Sequence, residues 1–189
     1  MILPIYTYGQ DILRREAVDV DAPSADLDAL VADMIETMEG AEGIGLAAPQ
    51  VGRDVRLFVV DLTRMLDSEE DAARYPPQPM VFINPEIVWE SEEEVDFEEG
   101  CLSIPDLREN VRRPAAIRLA YRDRAFAPQE IEIDGLLARV IQHEYDHLEG
   151  ILFVDLISPF RRRMLGRRLR EMARGRVEAD DPLATPEAV

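Results

Sequence analysis

The fold is decided by one stretch, GLLARVIQHEYDHLEG at residues 135–150, which contains both histidines of this 189-residue chain. Its apolar residues recur at helical spacing, and Gly150 is the expected helix end. Positions i and i+4 of a helix share a face, so His143 and His147 can bind one metal ion, with Glu144 beside them to transfer protons. Chance placement gives this spacing and glutamate about once in nine hundred arrangements. The stretch therefore predicts a buried, metal-binding helix.

A catalytic metal site usually has three protein ligands and a water molecule, so a third ligand is needed. The natural candidate is Cys101, the only cysteine, which lies in the segment Glu99-Gly100-Cys101-Leu102-Ser103. Glycine allows the backbone to approach a site closely, and a thiolate would partly neutralise a buried divalent ion. A third segment, GIGLAAPQ at residues 43–50, is small, apolar and ends in an amide, but is weak evidence when taken alone.

Composition limits the class of protein. Hydrophobic residues make up 47% of the chain, which is sufficient for the core of one domain. No apolar run is long enough to span a membrane, no signal peptide is recognisable, and a single cysteine excludes an internal disulfide framework. The cytoplasm is therefore the expected compartment.

The charge balance is strongly acidic, with 39 acidic residues, 21 basic residues and a formal net charge of −18. All of the basic residues are arginine. Two compatible explanations are open: the codon usage of a GC-rich genome, or an acidic surface that maintains solubility in concentrated salt.

The predicted order of elements is one helix, several short strands and two further helices. Ser24 is the expected cap of the first helix, and Pro85 marks an edge or a bend. The acidic stretch at residues 90–99, ESEEEVDFEE, fits a strand with one solvated face better than a metal-binding cluster. The predicted helices are 25–39, 135–148 and 159 to about 174, and the further predicted strands are 55–61, 81–88, 115–122 and 128–134. This order predicts an α+β fold, with short mixed or antiparallel sheets packed around the central metal-binding helix and a C-terminal helix.

Three segments, GIGLAAPQ, EGCLS and QHEYDHLEG, resemble the motifs of the peptide deformylase family in order and spacing, and the similarity covers residues 1–175. The resemblance implies one catalytic domain over residues 1–176 and leaves 177–189 as an acidic tail predicted to be disordered. It also implies metal-dependent hydrolysis of the N-formyl group from the N-terminal formyl-methionine of newly synthesised proteins. The implied ligands of one Fe²⁺ per chain, replaceable by zinc, nickel or cobalt, are Cys101, His143 and His147.

The same resemblance implies roles for the other motif residues. A water molecule activated by the metal would attack the formyl carbon, Glu144 would be the general base and acid, and Gln50 and the Leu102 N–H would stabilise the oxyanion. The residues expected to line a strand-like substrate groove are Ile44, Gly45 and Gly100. Arg139 lies one turn before the first histidine, near the expected methionine pocket.

The segment at residues 159–176 is basic, since eight arginines and one acid give it a charge of +7 and leave −25 for the rest of the chain. Its apolar residues are spaced so that one face can dock on the domain; they are Phe160, Met164, Leu165, Leu169 and Met172. The arginines could pair with the acidic body or bind RNA phosphates. The resemblance favours docking on the ribosome near the nascent-chain exit; neither a membrane nor DNA is expected as a partner.

Two other functions are compatible with parts of the sequence. A zinc endopeptidase shares the two histidines and the glutamate, but would need Glu149 or Glu171 as its third ligand. A non-enzymatic binding module could reuse the fold, although such a protein need not retain both the ligands and Glu144.

Overall fold

The computed structural model describes residues 1–66, 68, 73–177 and 183–185. The α-helices are α1 (Ala25–Gly40), α2 (Gly135–Leu148), α3 (Phe153–Leu156) and α4 (Pro159–Met172). Short 3₁₀ helices cover Asp11–Arg14, Ala48–Val51 and Thr63–Met65. The strands are β1 (Ile5–Tyr6), β2 (Gly45–Ala47), β3 (Leu57–Val60), β4 (Met80–Glu90), β5 (Glu94–Cys101), β6 (Ile104–Pro114), β7 (Ala116–Arg122), β8 (Pro128–Asp134) and β9 (Leu183–Ala184).

The strands of the described residues form three sheets. The largest is antiparallel with the order β2-β3-β4-β7-β8, a second is the β5–β6 hairpin, and the third pairs β1 with β9 in parallel. Strands and helices are therefore segregated rather than alternating, which confirms the predicted α+β class. No helix in the described part of the chain is long and apolar enough to cross a lipid bilayer.

The metal-binding helix predicted from the sequence is α2, and its bounds agree with the prediction. Its apolar face packs on the five-stranded sheet, where Leu137 and Ile141 join a cluster that includes Phe58, Phe82 and Leu119. Full burial of each such side chain stabilises the fold by roughly 1.5–3 kcal/mol. The sheet therefore fixes α2 with its opposite face turned towards the β5–β6 hairpin.

A separate apolar cluster lies under the hairpin. It joins Leu107 and Val111 of β6 to Phe153 of α3 and to Leu169 and Met172 of α4. The hairpin and α2 thus belong to two different apolar clusters.

The predicted helix cap is observed, and the proline lies at an irregularity in its strand. The Ser24 hydroxyl accepts a hydrogen bond from the Leu27 N–H at 3.1 Å, and α1 begins at the next residue after Ser24. Pro85 lies within β4 beyond Ile83, the last residue paired with β3, and the pairing with β7 shifts register between Ile83 and Glu86. The proline therefore marks an irregularity at a point where β4 is paired on one side only.

The acidic stretch does form a strand, β5, but its exposure differs from the prediction of a single solvated face. Val95 and Phe97 are 41% and 47% exposed, so both faces of the first part of β5 contact solvent. Glu99, in contrast, is buried, because the hairpin crosses α2 at this point.

The C-terminal region departs from the prediction in two ways. Leu183 and Ala184 pair with β1 as a strand, which contradicts the predicted disorder at these two residues; residues 178–182 and 186–189 lie outside the described part. On α4, Leu169 is buried, but Phe160 and Met164 are 70% and 61% exposed. Only the C-terminal half of the predicted apolar face docks on the domain.

Candidate metal centre and substrate cleft

Two histidines of α2 and one cysteine of β5 converge below a cleft. The rings of His143 and His147 are both buried, with their centroids 5.1 Å apart. Cys101 is the last residue of β5, and its Sγ lies 3.2 Å from His147 Nε2. The potential ligand atoms of all three residues lie within 4.8 Å of one another. The structure therefore brings the three predicted ligands together, although they are up to 46 residues apart in sequence.

This group fits a divalent transition-metal ion. With sulfur at about 2.3 Å and nitrogen at about 2.0–2.1 Å from the ion, tetrahedral donor atoms lie roughly 3.3–3.6 Å apart. One thiolate and two imidazoles suit zinc, iron, cobalt or nickel. The neighbouring Glu144 adds a buried Oε2 for which no protein partner is found in the described residues.

Glu99 orients the first histidine. Its Oε2 lies 2.8 Å from His143 Nδ1. Burial favours the neutral acid, but hydrogen bonds from His143 and Arg113, together with the charge of Arg113, hold the pKa of Glu99 well below its usual range. Because an ionised carboxylate only accepts, Nδ1 donates the proton, and Nε2 of His143 is left as the ligand atom.

Two buried arginines compensate the charge of Glu99. Arg113 Nε and Nη2 donate to the two carboxylate oxygens at 2.6 and 3.0 Å, and Arg139 Nη1 donates to Oε1 at 2.9 Å. Arg113 Nη1 also donates to Asp146 of α2 at 2.6 Å. The sequence pattern does not indicate this cluster, because Glu99 lies in an acidic stretch that is expected to be solvated and Arg139 lies beside the expected methionine pocket. The spacing of Glu99 and Cys101 was an available signal, because residues i and i+2 of a strand share a face.

The two histidines differ in their preference for a proton. Burial, followed by the charge of His143, holds the pKa of His147 well below the ordinary value. Burial opposes a charge on His143 as well, but hydrogen bonds to Cys101 and Glu99 raise its pKa well above the ordinary value. Because ligands must be deprotonated at the coordinating atom, metal binding at this group releases protons.

Gln50 is held with its amide nitrogen facing the cysteine. Its Oε1 accepts from the Ala47 N–H at 2.8 Å, whereas Nε2 donates to Ser103 Oγ at 3.2 Å and lies 3.5 Å from Cys101 Sγ. The short 3₁₀ helix Ala48–Val51 makes this geometry possible. Gln50 is therefore oriented by the motif that contains it.

Glu144 fills the space next to β2. A Cβ atom at Gly45 would lie 2.4 Å from Glu144 Oε1, so only glycine can occupy this position without a rearrangement. Burial is the main cause that raises the pKa of Glu144, to about 7. The carboxyl group can therefore take up and release a proton near neutral pH.

The cleft has a volume of about 740 Å³. Its walls come from β2, the end of β5, the start of β6 and the face of α2 that includes Arg139. Leu183 also contributes. The predicted site residues in its lining are Ile44, Gly45, Gln50, Gly100, Cys101, Leu102, His143 and Glu144. His147 is not part of the lining and reaches the cysteine from the buried side.

The third ligands required by an endopeptidase are engaged elsewhere. Glu149 pairs with Arg56 at 2.7 Å, and Glu171 pairs with Arg176 at 2.8 Å. Neither carboxylate belongs to the Cys101, His143 and His147 group.

Comparisons with known proteins agree with this geometry. The family model for polypeptide deformylase matches residues 2–163. A peptide deformylase of Salinibacter ruber is 61% identical over 186 residues, which cover 98% of this chain and 95% of that protein. The crystal structure of a peptide deformylase from Legionella pneumophila superimposes with a TM-score of 0.81 at 38% identity, covering 95% of this chain and 99% of that one. The corresponding structure from Ehrlichia chaffeensis gives 0.82 at 35% identity, covering 93% and 98%.

The matched region contains all three sequence motifs, the cysteine and histidine group and the cleft above it. The family resemblance is thereby confirmed: this chain belongs to the polypeptide deformylase family.

Proposed function

We propose that this chain removes the N-formyl group from the N-terminal formyl-methionine of newly synthesised proteins in the cytoplasm, releasing formate, and that it uses Fe²⁺ held by Cys101, His143 and His147. The proposal is carried by the convergence of these three side chains beside Glu144 in a cleft, in a chain of this family. The catalytic unit would comprise residues 1–176.

A divalent ion held by Cys101, His143 and His147 would lower the pKa of a coordinated water molecule and polarise the formyl carbonyl. The Cys101 thiolate would offset one positive charge of the ion, and Glu99 keeps His143 in the tautomer whose Nε2 is free to bind it. Intrinsic affinity favours zinc over iron, so the availability of iron in the cell decides the occupant.

Glu144 is the proposed proton carrier. Its Oε2 has no protein partner in the described residues, so this oxygen is free to accept a proton from the attacking water. The proton then passes to the departing amine nitrogen, which leaves as a neutral amino group. A pKa of about 7 suits both transfers.

Gln50 and Leu102 are the proposed oxyanion donors. Negative charge develops on the formyl oxygen as its carbon becomes tetrahedral, and preorganised N–H groups stabilise this charge. The bond from Ala47 N–H to Gln50 Oε1 fixes the amide before substrate arrives, so little reorganisation is needed.

The substrate backbone is proposed to lie extended between β2 and the end of β5. β2 is an edge strand of the five-stranded sheet, so its outer edge has backbone groups that can pair with a peptide. Ile44 and Gly45 on one wall, and Gly100 on the other, line the cleft at this edge. The space beside both glycines is already occupied, by the Glu144 carboxyl group at Gly45 and by the Arg108 side chain at Gly100. The site is therefore narrow, which favours a small acyl group such as formyl.

Docking of α4 on the ribosome is a further part of the proposal. In the part of the chain that the structure describes, two arginines of α4 pair with acids elsewhere in the domain, Arg161 with Glu109 at 2.7 Å and Arg162 with Asp155 at 2.9 Å. Among the described residues, no ion pair is found for three others, Arg163, Arg167 and Arg170, and these are exposed. Exposed guanidinium groups are suited to bind phosphates of RNA.

The test is release of formate from a short formyl-methionyl peptide by protein purified without oxygen and loaded with Fe²⁺. Activity should be high under these conditions and fall in air, because ferrous iron and the Cys101 thiolate both oxidise. Nickel should give an air-stable enzyme. Full activity of aerobic protein that contains one zinc per chain would contradict iron as the native metal, and no formate with any of these metals would contradict deformylation itself.

A further inference from the structure

The metal ligands lie on two elements that are not joined by a common apolar core. Cys101 is on the β5–β6 hairpin, whereas His143 and His147 are on α2. The apolar residues of α2 pack with the five-stranded sheet, and those of the hairpin pack with α3 and α4. Apolar contact between the two regions includes the His143 ring stacked on Phe153, with centroids 6.1 Å apart, and Leu102 at the hairpin turn packed against residues of the sheet. The polar contacts between α2 and the hairpin therefore make a large contribution to the separation of the cysteine from the histidines.

Arg139 makes such contacts with both strands of the hairpin. From α2, its Nη1 donates to Glu99 Oε1 and to the Val111 carbonyl, each at 2.9 Å, and its Nη2 donates to the Val95 carbonyl at 2.6 Å. Val95 and Glu99 belong to β5 and Val111 to β6. The side chain is only 5% exposed, so these bonds do not compete with bulk water.

Arg113 crosses the same boundary in the opposite direction. It starts from β6, binds both oxygens of Glu99 and reaches Asp146 of α2. Together with the bond to His143, the two arginines fill about four acceptor positions on the Glu99 carboxylate. The charges of Arg113 and Arg139 thus balance those of Glu99 and Asp146 at this boundary. Loss of either arginine leaves one buried negative charge in excess.

We infer that Arg139 is a positioning residue that sets the distance between Cys101 and the two histidines, and thereby the metal affinity of the site. The inference rests on the proposed function only in that these three residues hold the ion. Arg139 itself contacts none of them through the bonds described above and acts through the placement of the hairpin and Glu99 on α2.

The test is a titration of metal-stripped protein with Co²⁺. Binding is monitored through the visible absorption spectrum, which reports coordination by thiolate and imidazole. Arg139→Met retains most of the apolar stem of the side chain but removes its charge and its donors. The Kd for Co²⁺ should rise by roughly 10- to 100-fold, as is usual when an outer-shell partner is removed. The spectrum should also change, since the sulfur and nitrogen ligands no longer meet the ion at the same geometry.

The matched control is Arg118→Met. Arg118 also donates to a glutamate, Glu132, at 2.9 Å, but the pair is exposed on the five-stranded sheet, so this variant should bind Co²⁺ with the affinity and spectrum of the unmodified chain. If unmodified protein fails to bind Co²⁺, the proposed metal site is wrong, whereas normal binding by folded Arg139→Met overturns the role of Arg139 alone.

A second variant covers the case in which Arg139→Met does not fold. Arg139→Lys retains a charge beside Glu99 but cannot span Glu99 and both hairpin carbonyls with one nitrogen. Its Kd for Co²⁺ should rise, but by less than the roughly 10- to 100-fold expected when all the donors of Arg139 are removed. An affinity and spectrum equal to those of the unmodified chain would overturn the inference.

Discussion

Arginine is used in two opposite ways in this molecule, at the boundary between α2 and the β5–β6 hairpin and on α4. Arg113 and Arg139 are buried and bound to Glu99 from two elements. On α4, Arg161 and Arg162 form ion pairs in which the arginines themselves are exposed, and Arg163 has no ion pair in the described residues. Breaking a buried pair typically costs about 3–5 kcal/mol, whereas exposed pairs contribute roughly 0–1 kcal/mol. The same side chain is therefore enclosed and fixes geometry in one region, whereas in the other it lies at the surface, even where Arg161 binds both oxygens of the buried Glu109.

The largest effect is expected for Glu144, a buried acid that is not neutralised by an arginine. Glu144→Ala should retain stoichiometric metal and lose about 10²–10⁴-fold in turnover, because proton transfer is removed while Cys101, His143 and His147 remain. Formate release and metal content are measured on the same preparation. Near-normal turnover by a metal-loaded variant would show that Glu144 is not the proton carrier.

The next largest effect is expected when Glu99, the carboxylate bound by both buried arginines, is replaced. Glu99→Gln should lower the free energy of unfolding by about 3–5 kcal/mol, because the carboxylate shared by two buried guanidinium groups is removed and Asp146 pairs only with Arg113. Its metal affinity should fall as well, since His143 Nδ1 loses the carboxylate that orients the ring. Denaturant unfolding of the metal-stripped protein separates the two contributions. The control is Glu132→Gln in the exposed pair with Arg118, which should change stability little; equal losses in the two variants would remove the contrast between the regions.

A smaller effect is expected on α4. Deletion of the whole helix would also remove Leu169 and Met172 from a buried cluster, so a triple substitution of Arg163, Arg167 and Arg170 to glutamine is the cleaner variant. It should weaken ribosome binding and reduce the log–log salt slope by up to about 2–3, at roughly 0.7–0.9 for each phosphate that is no longer neutralised. Melting temperature and hydrolysis of a short formyl-methionyl peptide should not change. Co-sedimentation equal to that of the unmodified chain would assign these arginines to surface charge alone.

The smallest effect is expected from salt acting on the acidic residues outside 159–176, where the chain carries a net charge of −25. If its composition is an adaptation to concentrated salt, the melting temperature should rise with KCl up to molar concentration as repulsion among exposed acids is screened. The buried Glu99 cluster should respond little to the same salt, because its charges are paired away from solvent. A melting temperature that is constant or falls with KCl would leave codon usage as the explanation.

Much of the site could be predicted because its residues occur in short local patterns. The spacing of His143 and His147 requires only helical geometry, and the bounds of α2 follow from its apolar period. The single cysteine restricted the choice of a third ligand, and the structure places Cys101 beside both histidines.

The prediction was weakest where a residue's environment is made by distant segments. Glu99 ends an acidic stretch and has the same strand parity as Val95 and Phe97, which are exposed, and only the approach of α2 buries it. Likewise, Phe160 and Leu169 are equivalent in a helical pattern, yet only Leu169 meets the core. Leu183 joins β1 across almost the whole length of the chain, which no local pattern indicates.

By itself, the sequence determined the metal-binding helix, the three candidate ligands, the α+β class and the family, since each depends on local periodicity or on short motifs. Only the tertiary structure decided that Arg113 and Arg139 cross between α2 and the hairpin to enclose Glu99. The physical reason is that a charged hydrogen bond is stronger where water is excluded, so a buried arginine fixes a geometry and an exposed one only covers a surface. Several segments that are far apart in sequence exclude the water together, and no local pattern indicates where they meet.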